Sequence, residues 1–338
     1  MDKNKTEWAQ TLAYHGGNLD AAQRLFDDAP HPWIDLSTGI NAHAYPIGEI
    51  SAQAWTRLPQ AADIAALEKI AAQTFGLVGG EVVAAPGTQS LIQLLPRIFA
   101  ARTVGILGFT YGEYARLWRQ NGASVTHVDS LDALASFDLA IVVNPNNPDG
   151  RRVAPDELAI LATRMALEGG TLVVDEAFMD FYRAKASLAP VLPQNALILR
   201  SFGKTYGLAG VRLGFVLAPA LLAAQFRRVL GPWAISGPAV EIASRALADH
   251  DWILAECRRL IAERVKLKDA LVEAGFGIVG GTHLFVLAEH AHAGEWFRRL
   301  AQAGILVRPF VEKPNWLRFG IPAAANWPRL LRALSPQV

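Results

Sequence analysis

The stretch SFGKTYGLAGVRLGF, Ser201 to Phe215, sets one amine, one hydroxyl and one guanidinium among glycines and apolar residues. A lysine drawn into such surroundings is a candidate nucleophile, because desolvation favours its neutral amine. Eight positions beyond Lys204, Arg212 offers a permanently charged fork suited to an anion, and Ser201 adds a hydroxyl suited to the same anion. Gly87-Thr88-Gln89 opens a helical pattern whose unpaired backbone N–H groups suit a phosphate. Asp175 ends the apolar run TLVVD, where a carboxylate is costly to bury without a cationic partner. Each group alone also has a plainer use. Asp175 could cap a helix, the glycine turn could be only a turn, and Arg212 could face solvent.

The elements around these residues give them a common place. From about residue 64 helical patterns alternate with short apolar runs: EVVAA (81–85), TVGIL (103–107), SVTHV (124–128), LAIVV (139–143), TLVVD (171–175) and ALILR (196–200). Such alternation predicts a mostly parallel sheet covered on both faces, an α/β fold. In an open parallel sheet ligands bind beyond the carboxyl ends of the strands. The segments lying there are Pro86 to Gln89, Asn144 to Gly150, Asp175-Glu176 and Ser201 to Lys204, all polar or small. After Gly231 a long helical stretch and alternating segments (FGIVGGTHLFVLAE, GILVRPF, WLRFGI) suggest a second, smaller α+β domain. The expected organisation is an N-terminal arm over 1–45, a large domain over 46–230 and a small C-terminal domain over 231–338.

One ligand needs a phosphate site, an anion opposite a ring nitrogen and a lysine amine. That ligand is pyridoxal 5'-phosphate, held as a Schiff base. The three motifs SFGKTYGLAGVRLGF, NPNNPDG (144–150) and VVDEAF (173–178) resemble those of the fold-type I pyridoxal-phosphate enzymes, the class I/II aminotransferase superfamily with the aspartate aminotransferase-like fold. The resemblance spans nearly the whole chain. It implies that Lys204 binds the cofactor covalently, that Asp175 pairs with the protonated pyridine nitrogen and that Asn147 hydrogen-bonds the phenolic oxygen. It further implies a phosphate held by Ser201, Arg212 and the Gly87, Thr88 and Gln89 turn, and a pyridine ring stacked on Tyr111. Arg318, in WLRFGI, falls where the family binds the substrate α-carboxylate.

The N-terminal segments HGGNLDAAQRLF and WIDLSTGINAHAYP resemble those of the threonine-phosphate decarboxylases of cobalamin biosynthesis, whose nearest relatives are the histidinol-phosphate aminotransferases. The aminotransferases typically carry tyrosine three residues after the aspartate, where this chain has Phe178, the decarboxylase-like residue. That resemblance implies substrate contacts at His15, Gly16, Gly39, Asn147, Arg308 and Arg318, with Arg308 a second fixed charge for a substrate carrying both carboxylate and phosphate. It also implies a homodimer. Gly39 stands where asparagine is common, and Leu58-Pro59 replaces the tyrosine-proline pair whose hydroxyl reaches a partner subunit's cofactor. A histidinol-phosphate-type aminotransferase is the alternative enzyme, and a non-catalytic cofactor-sensing module the alternative of another class.

Bulk properties agree with an ordinary globular enzyme. The 338 residues are 51% hydrophobic and 19% charged with a formal net charge of +1, which gives no reason to expect nucleic acid or an anionic membrane as partner. The start of the chain lacks the apolar core of a signal peptide, and the single cysteine, Cys257, is expected to be buried and inert, so the chain reads as cytosolic. GFGIVG (275–280) fits a dinucleotide fingerprint, but a helical pattern precedes it and a strand-like one follows, the reverse of what that motif needs. His290 and His292 lack a convincing third ligand, so no metal is expected.

Overall fold

The apolar runs become strands. In chain order these are β1 (Ile34–Asp35), β2 (Glu81–Ala85), β3 (Thr103–Leu107), β4 (Ser124–Val128), β5 (Leu139–Val143), β6 (Thr171–Asp175) and β7 (Ala196–Ser201). Then follow β8 (Gly214–Ala218), β9 (Gly277–Gly281), β10 (Phe285–Glu289), β11 (Ile305–Leu306), β12 (Arg308–Pro309) and β13 (Trp316–Gly320). The structure, a computed structural model, describes residue 12 and residues 16–335. The chain divides into a larger unit, Ala44–Leu254, and a smaller one made of the described residues up to His43 with those from Ala255 onward.

In the larger unit seven strands form one sheet in the order β2-β8-β7-β6-β5-β3-β4. From β4 through β7 every neighbouring pair is parallel, whereas β8 runs antiparallel to both β7 and β2. Alternate residues of a strand point to opposite faces, so a continuously apolar strand needs two cores. Both are present. Val142, Val174, Ile198 and Leu217 enter one apolar cluster, while Ile141, Val173, Leu197 and Val216 enter another. The sheet is therefore the covered, mostly parallel one expected from the sequence, with the fold class that the motifs imply.

Two features differ from the sequence reading. The antiparallel strand β8 begins with the last two residues of the lysine motif, Gly214 and Phe215, and GFVLA was not read as a strand from the sequence. Its direction brings its first residue, Gly214, beside the last residues of β2 and β7, Ala85 and Ser201. The stretch after Gly231 is two helices, Gly237–Ala248 and His250–Glu273, and the first packs on the helix Ala61–Thr74 within the larger unit. The break between units thus falls beyond Gly231, in the second of those helices.

The smaller unit holds a four-stranded antiparallel sheet, β12-β13-β10-β9, and a parallel pair, β1-β11. The pairing Ile34↔Ile305 explains why the N-terminal segment belongs with the C-terminal one. GFGIVG follows the helix His250–Glu273 and runs into β9, so its context is indeed reversed. Cys257, expected to be buried, is half-buried. Among the described residues no helix is long and apolar enough to cross a membrane.

Candidate active site

The expected cofactor residues of the larger unit follow the carboxyl ends of neighbouring strands. Asp175 ends β6 and Ser201 ends β7, and the NPNNPDG loop leaves β5, where Val143 pairs with Asp175. Asn144 donates its backbone N–H to the Asp175 carbonyl at 2.8 Å, fixing the start of that loop. Asn144 also exchanges side-chain bonds with Val153 (2.9 and 3.0 Å), and Asn146 donates to Phe109 O and to Asp149. Those two asparagines are buried and shape the loop, while Asn147 remains partly exposed. Asn147 is the asparagine of the loop that the resemblance assigns to the cofactor.

The phosphate candidates meet at the helix Thr88–Ile98. Its N-cap, Gly87, has φ 87° and ψ 156° and provides no side-chain cap, so the helix opens with backbone N–H groups at Thr88 and Gln89. A Cβ on Gly87 would lie 2.7 Å from Arg212 Nη2, so the guanidinium sits directly over that turn. A Cβ on Gly214 would lie 2.7 Å from the Thr88 backbone N. The glycine of the antiparallel β8 therefore leaves the first amide of the helix uncovered. Arg212 itself holds a left-handed backbone (φ 55°), which is sparsely populated by residues other than glycine and is characteristic of functional sites. An arginine fork, a helix N-terminus and two glycine-bounded surfaces make a cradle that fits a phosphate group.

Around the remaining cofactor positions the side chains are held by specific partners. Asp175 is buried, with Oδ1 accepting from Ala177 N at 3.0 Å and Oδ2 accepting from the Tyr114 hydroxyl at 2.8 Å. Tyr111 donates to Gln89 Oε1 at 3.1 Å, Gln89 donates to Glu113 Oε2 at 2.9 Å, and Arg116 clasps Glu113. Lys204 lies on the short helix Phe202–Thr205 directly after β7, with Nζ 4.9 Å from the centre of the Phe178 ring. A buried carboxylate, a lysine amine and a phosphate cradle at one sheet edge fit pyridoxal phosphate.

Beneath this edge runs an ion cluster that the sequence reading missed. Arg200 donates to Glu176 Oε2 at 2.7 Å and pairs with Asp180 Oδ1 at 2.9 Å, while its guanidinium stands 4.4 Å from the Phe75 ring centre. Glu176 also accepts from Ser187 Oγ (2.6 Å) and Leu188 N (2.9 Å). Burial pushes the carboxyls of Glu176 and Asp180 upward, and Arg200 opposes that shift in both. Glu176 follows Asp175 and Arg200 precedes Ser201, so the cluster ties together the two strand ends that carry site residues. Its signal was present as three charges within otherwise apolar segments, a pattern that burial makes costly unless the charges pair.

The substrate candidates that are described lie in the smaller unit. Arg308 and Arg318 face each other across the β12–β13 ladder. Arg318 is buried, donates to Ser37 O at 2.6 Å and lies 5.0 Å from the Phe285 ring centre. Burial, with Arg308 close by, pulls its pKa down to about 9, and Asp35 opposes the shift. Ser37 Oγ in turn donates to Asp35 Oδ1 (2.6 Å) and accepts from Gly17 N (2.7 Å), so Gly16-Gly17 is anchored beside it. Gly39 is buried, and His15 lies outside the described residues.

Residues 32–334 match the family described as Aminotransferase class I and II. The chain is 45% identical over 325 residues to a threonine-phosphate decarboxylase of Sinorhizobium sp., covering 95% of this chain and 97% of that protein. It is 40% identical to a threonine-phosphate decarboxylase of Pseudomonas aeruginosa, covering 95% of this chain and 96% of that protein. The crystal structure of histidinol-phosphate aminotransferase from Sinorhizobium meliloti in complex with pyridoxal-5'-phosphate superimposes with a TM-score of 0.82 at 20% identity, over 94% of this chain and 93% of that one. That likeness speaks to the fold. With the strand-end lysine, aspartate and phosphate cradle in place, the chain belongs to the class I and II aminotransferase family.

Proposed function

We propose that the protein decarboxylates O-phospho-L-threonine with pyridoxal phosphate, releasing carbon dioxide and (R)-1-aminopropan-2-yl phosphate for cobalamin biosynthesis, as a cytosolic homodimer. The observation that carries this reading is the 45% and 40% identity, over nearly the full chain, to two threonine-phosphate decarboxylases. The Phe178 ring beside Lys204 supports it, because no hydroxyl stands where the aminotransferases typically carry one.

When bound, the cofactor supplies an electron sink for the pair left on Cα as the carboxylate departs. The protein's own groups do the rest. Arg212, Ser201 and the backbone at Gly87, Thr88 and Gln89 would fix the phosphate. Asn147 would donate to the phenolic oxygen and Tyr111 would stack on the ring, held by Gln89. Asp175 would face the ring nitrogen and hold a proton there. Lys204 would hold the cofactor in the resting protein and, once freed, would deliver to Cα the one proton that replaces the lost carboxylate. Arg318 would bind the substrate carboxylate and Arg308 its phosphate, with His15, Gly16 and Gly39 as further contacts. Where the carboxylate is held decides which bond at Cα breaks.

Incubating the cofactor-loaded protein with O-phospho-L-threonine should yield carbon dioxide and the amino alcohol phosphate with no keto acid present. A parallel reaction with histidinol phosphate and 2-oxoglutarate should stay silent. Amino transfer there, with no carbon dioxide from phosphothreonine, would overturn the proposed reaction and leave the fold and family intact.

A further inference from the structure

Tyr114 is fully buried in the apolar cluster beneath the sheet edge, on the first turn of the helix Glu113–Gln120. A phenylalanine would fill that place, so packing alone does not call for the hydroxyl. Burying a hydroxyl is unfavourable unless it is bonded. This one donates to Asp175 Oδ2 at 2.8 Å. Burial and the adjacent carboxylate push its pKa well up, so Tyr114 stays a phenol and stays a donor. The titratable neighbour on the Tyr114 side is Tyr111, edge-on at 6.3 Å, whose own hydroxyl bonds to Gln89. Glu176, next to Asp175, is engaged by Arg200, Ser187 and Leu188.

A carboxylate oxygen accepts more than one hydrogen bond, so Asp175 can hold Tyr114 and Ala177 N and still face a ring nitrogen. Donors to a carboxylate spread its charge and weaken its pull on a third proton. We propose that Tyr114 is a positioning residue: by donating to Asp175 Oδ2 it orients that carboxylate and keeps the shared proton on the cofactor ring nitrogen. The inference rests on the pyridoxal-phosphate reading of the site but not on which substrate is used. With Tyr114 removed, Asp175 competes harder for the proton, and the ring becomes a poorer electron sink.

The test uses holoenzyme without substrate, loaded with pyridoxal phosphate labelled with ¹⁵N in the ring. In Tyr114→Phe the ring-nitrogen resonance should move toward the neutral-pyridine position. The cofactor dissociation constant should rise about tenfold, as expected for one lost bond to a charged group. If that variant fails to fold, 4-aminophenylalanine at position 114 keeps a weaker donor and should give a smaller displacement in the same direction. A resonance and affinity equal to those of the unaltered protein, in whichever variant folds, overturn the inference and leave the cofactor reading standing. A tenfold loss of affinity with an unmoved resonance also overturns it, since a packing role alone would produce that. If the unaltered protein itself takes up no labelled cofactor, the cofactor reading falls and the inference falls with it.

Discussion

Replacing Gly87 by alanine should damage the phosphate cradle in a way that two ligands can separate. The backbone there (φ 87°, ψ 156°) is open to glycine and almost no other residue. Holding a side chain in that conformation costs about 1–3 kcal/mol. The new Cβ would also lie 2.7 Å from Arg212 Nη2, and the flexible end of that arginine would give way sooner than the backbone. Its displacement removes a charge-assisted bond to a bound phosphate, a loss of about 1.5–3 kcal/mol, or about one to two powers of ten in affinity. Tryptophan fluorescence titrations of cofactor-free Gly87→Ala with pyridoxal phosphate and with pyridoxal make the comparison. The phosphorylated ligand should weaken at least about tenfold relative to the unphosphorylated one. The backbone strain should lower Tm by a few degrees, about 2–4 °C per kcal/mol for a unit of this size. Equal weakening of both ligands, or none, would refute the assignment of Gly87 and Arg212 to a phosphate.

Lys204→Ala should abolish the visible absorbance of lysine-bound cofactor, measured after dialysis against free pyridoxal phosphate. Asp180→Asn leaves Arg200 with one of its two buried carboxylate partners and should destabilise the protein by about 3 kcal/mol in a urea titration. The exposed Asp132–Arg164 pair is the comparison, and Asp132→Asn should change the midpoint little. Because Arg318 holds its proton less tightly than an ordinary arginine, at about 9, its charge is present below that pH and lost above it. Affinity for a carboxylate ligand should therefore fall as pH rises through about 9, and calorimetric titrations on either side of that value check it. A bound anion favours the charged form, so the midpoint in the complex lies higher.

Much of the sheet was legible because its strands are apolar on both faces, as in LAIVV and TLVVD, and no other element of that length needs such a run. The strand GFVLA is just as apolar, but sequence does not reveal that it runs antiparallel and delivers Gly214 to the phosphate turn. Lys204, Asp175 and Arg212 stood out as charges in apolar or glycine-rich surroundings. Which of the three asparagines in NPNNPDG serves the cofactor was assigned by resemblance alone. The other two are buried and engaged, Asn144 with Val153 and Asn146 with Phe109 O and Asp149. Tyr114 was hidden because YGEY carries two tyrosines three residues apart, and only the fold tells that one bonds Gln89 and the other Asp175. Glu176, Asp180 and Arg200 were missed for a related reason. Their pairing joins segments about twenty residues apart, which a local pattern does not express.

The most direct test of the decarboxylation follows two labels on one substrate. O-Phospho-L-threonine carrying ¹³C in the carboxyl group and deuterium at Cα is turned over by the loaded enzyme in ordinary water and observed by NMR. The ¹³C should leave as carbon dioxide while the deuterium stays on the product carbon, joined there by one proton delivered from Lys204. Loss of the deuterium to solvent with the ¹³C retained in the organic product would mean that the Cα–H bond is the one broken. The proposed decarboxylation would then be wrong.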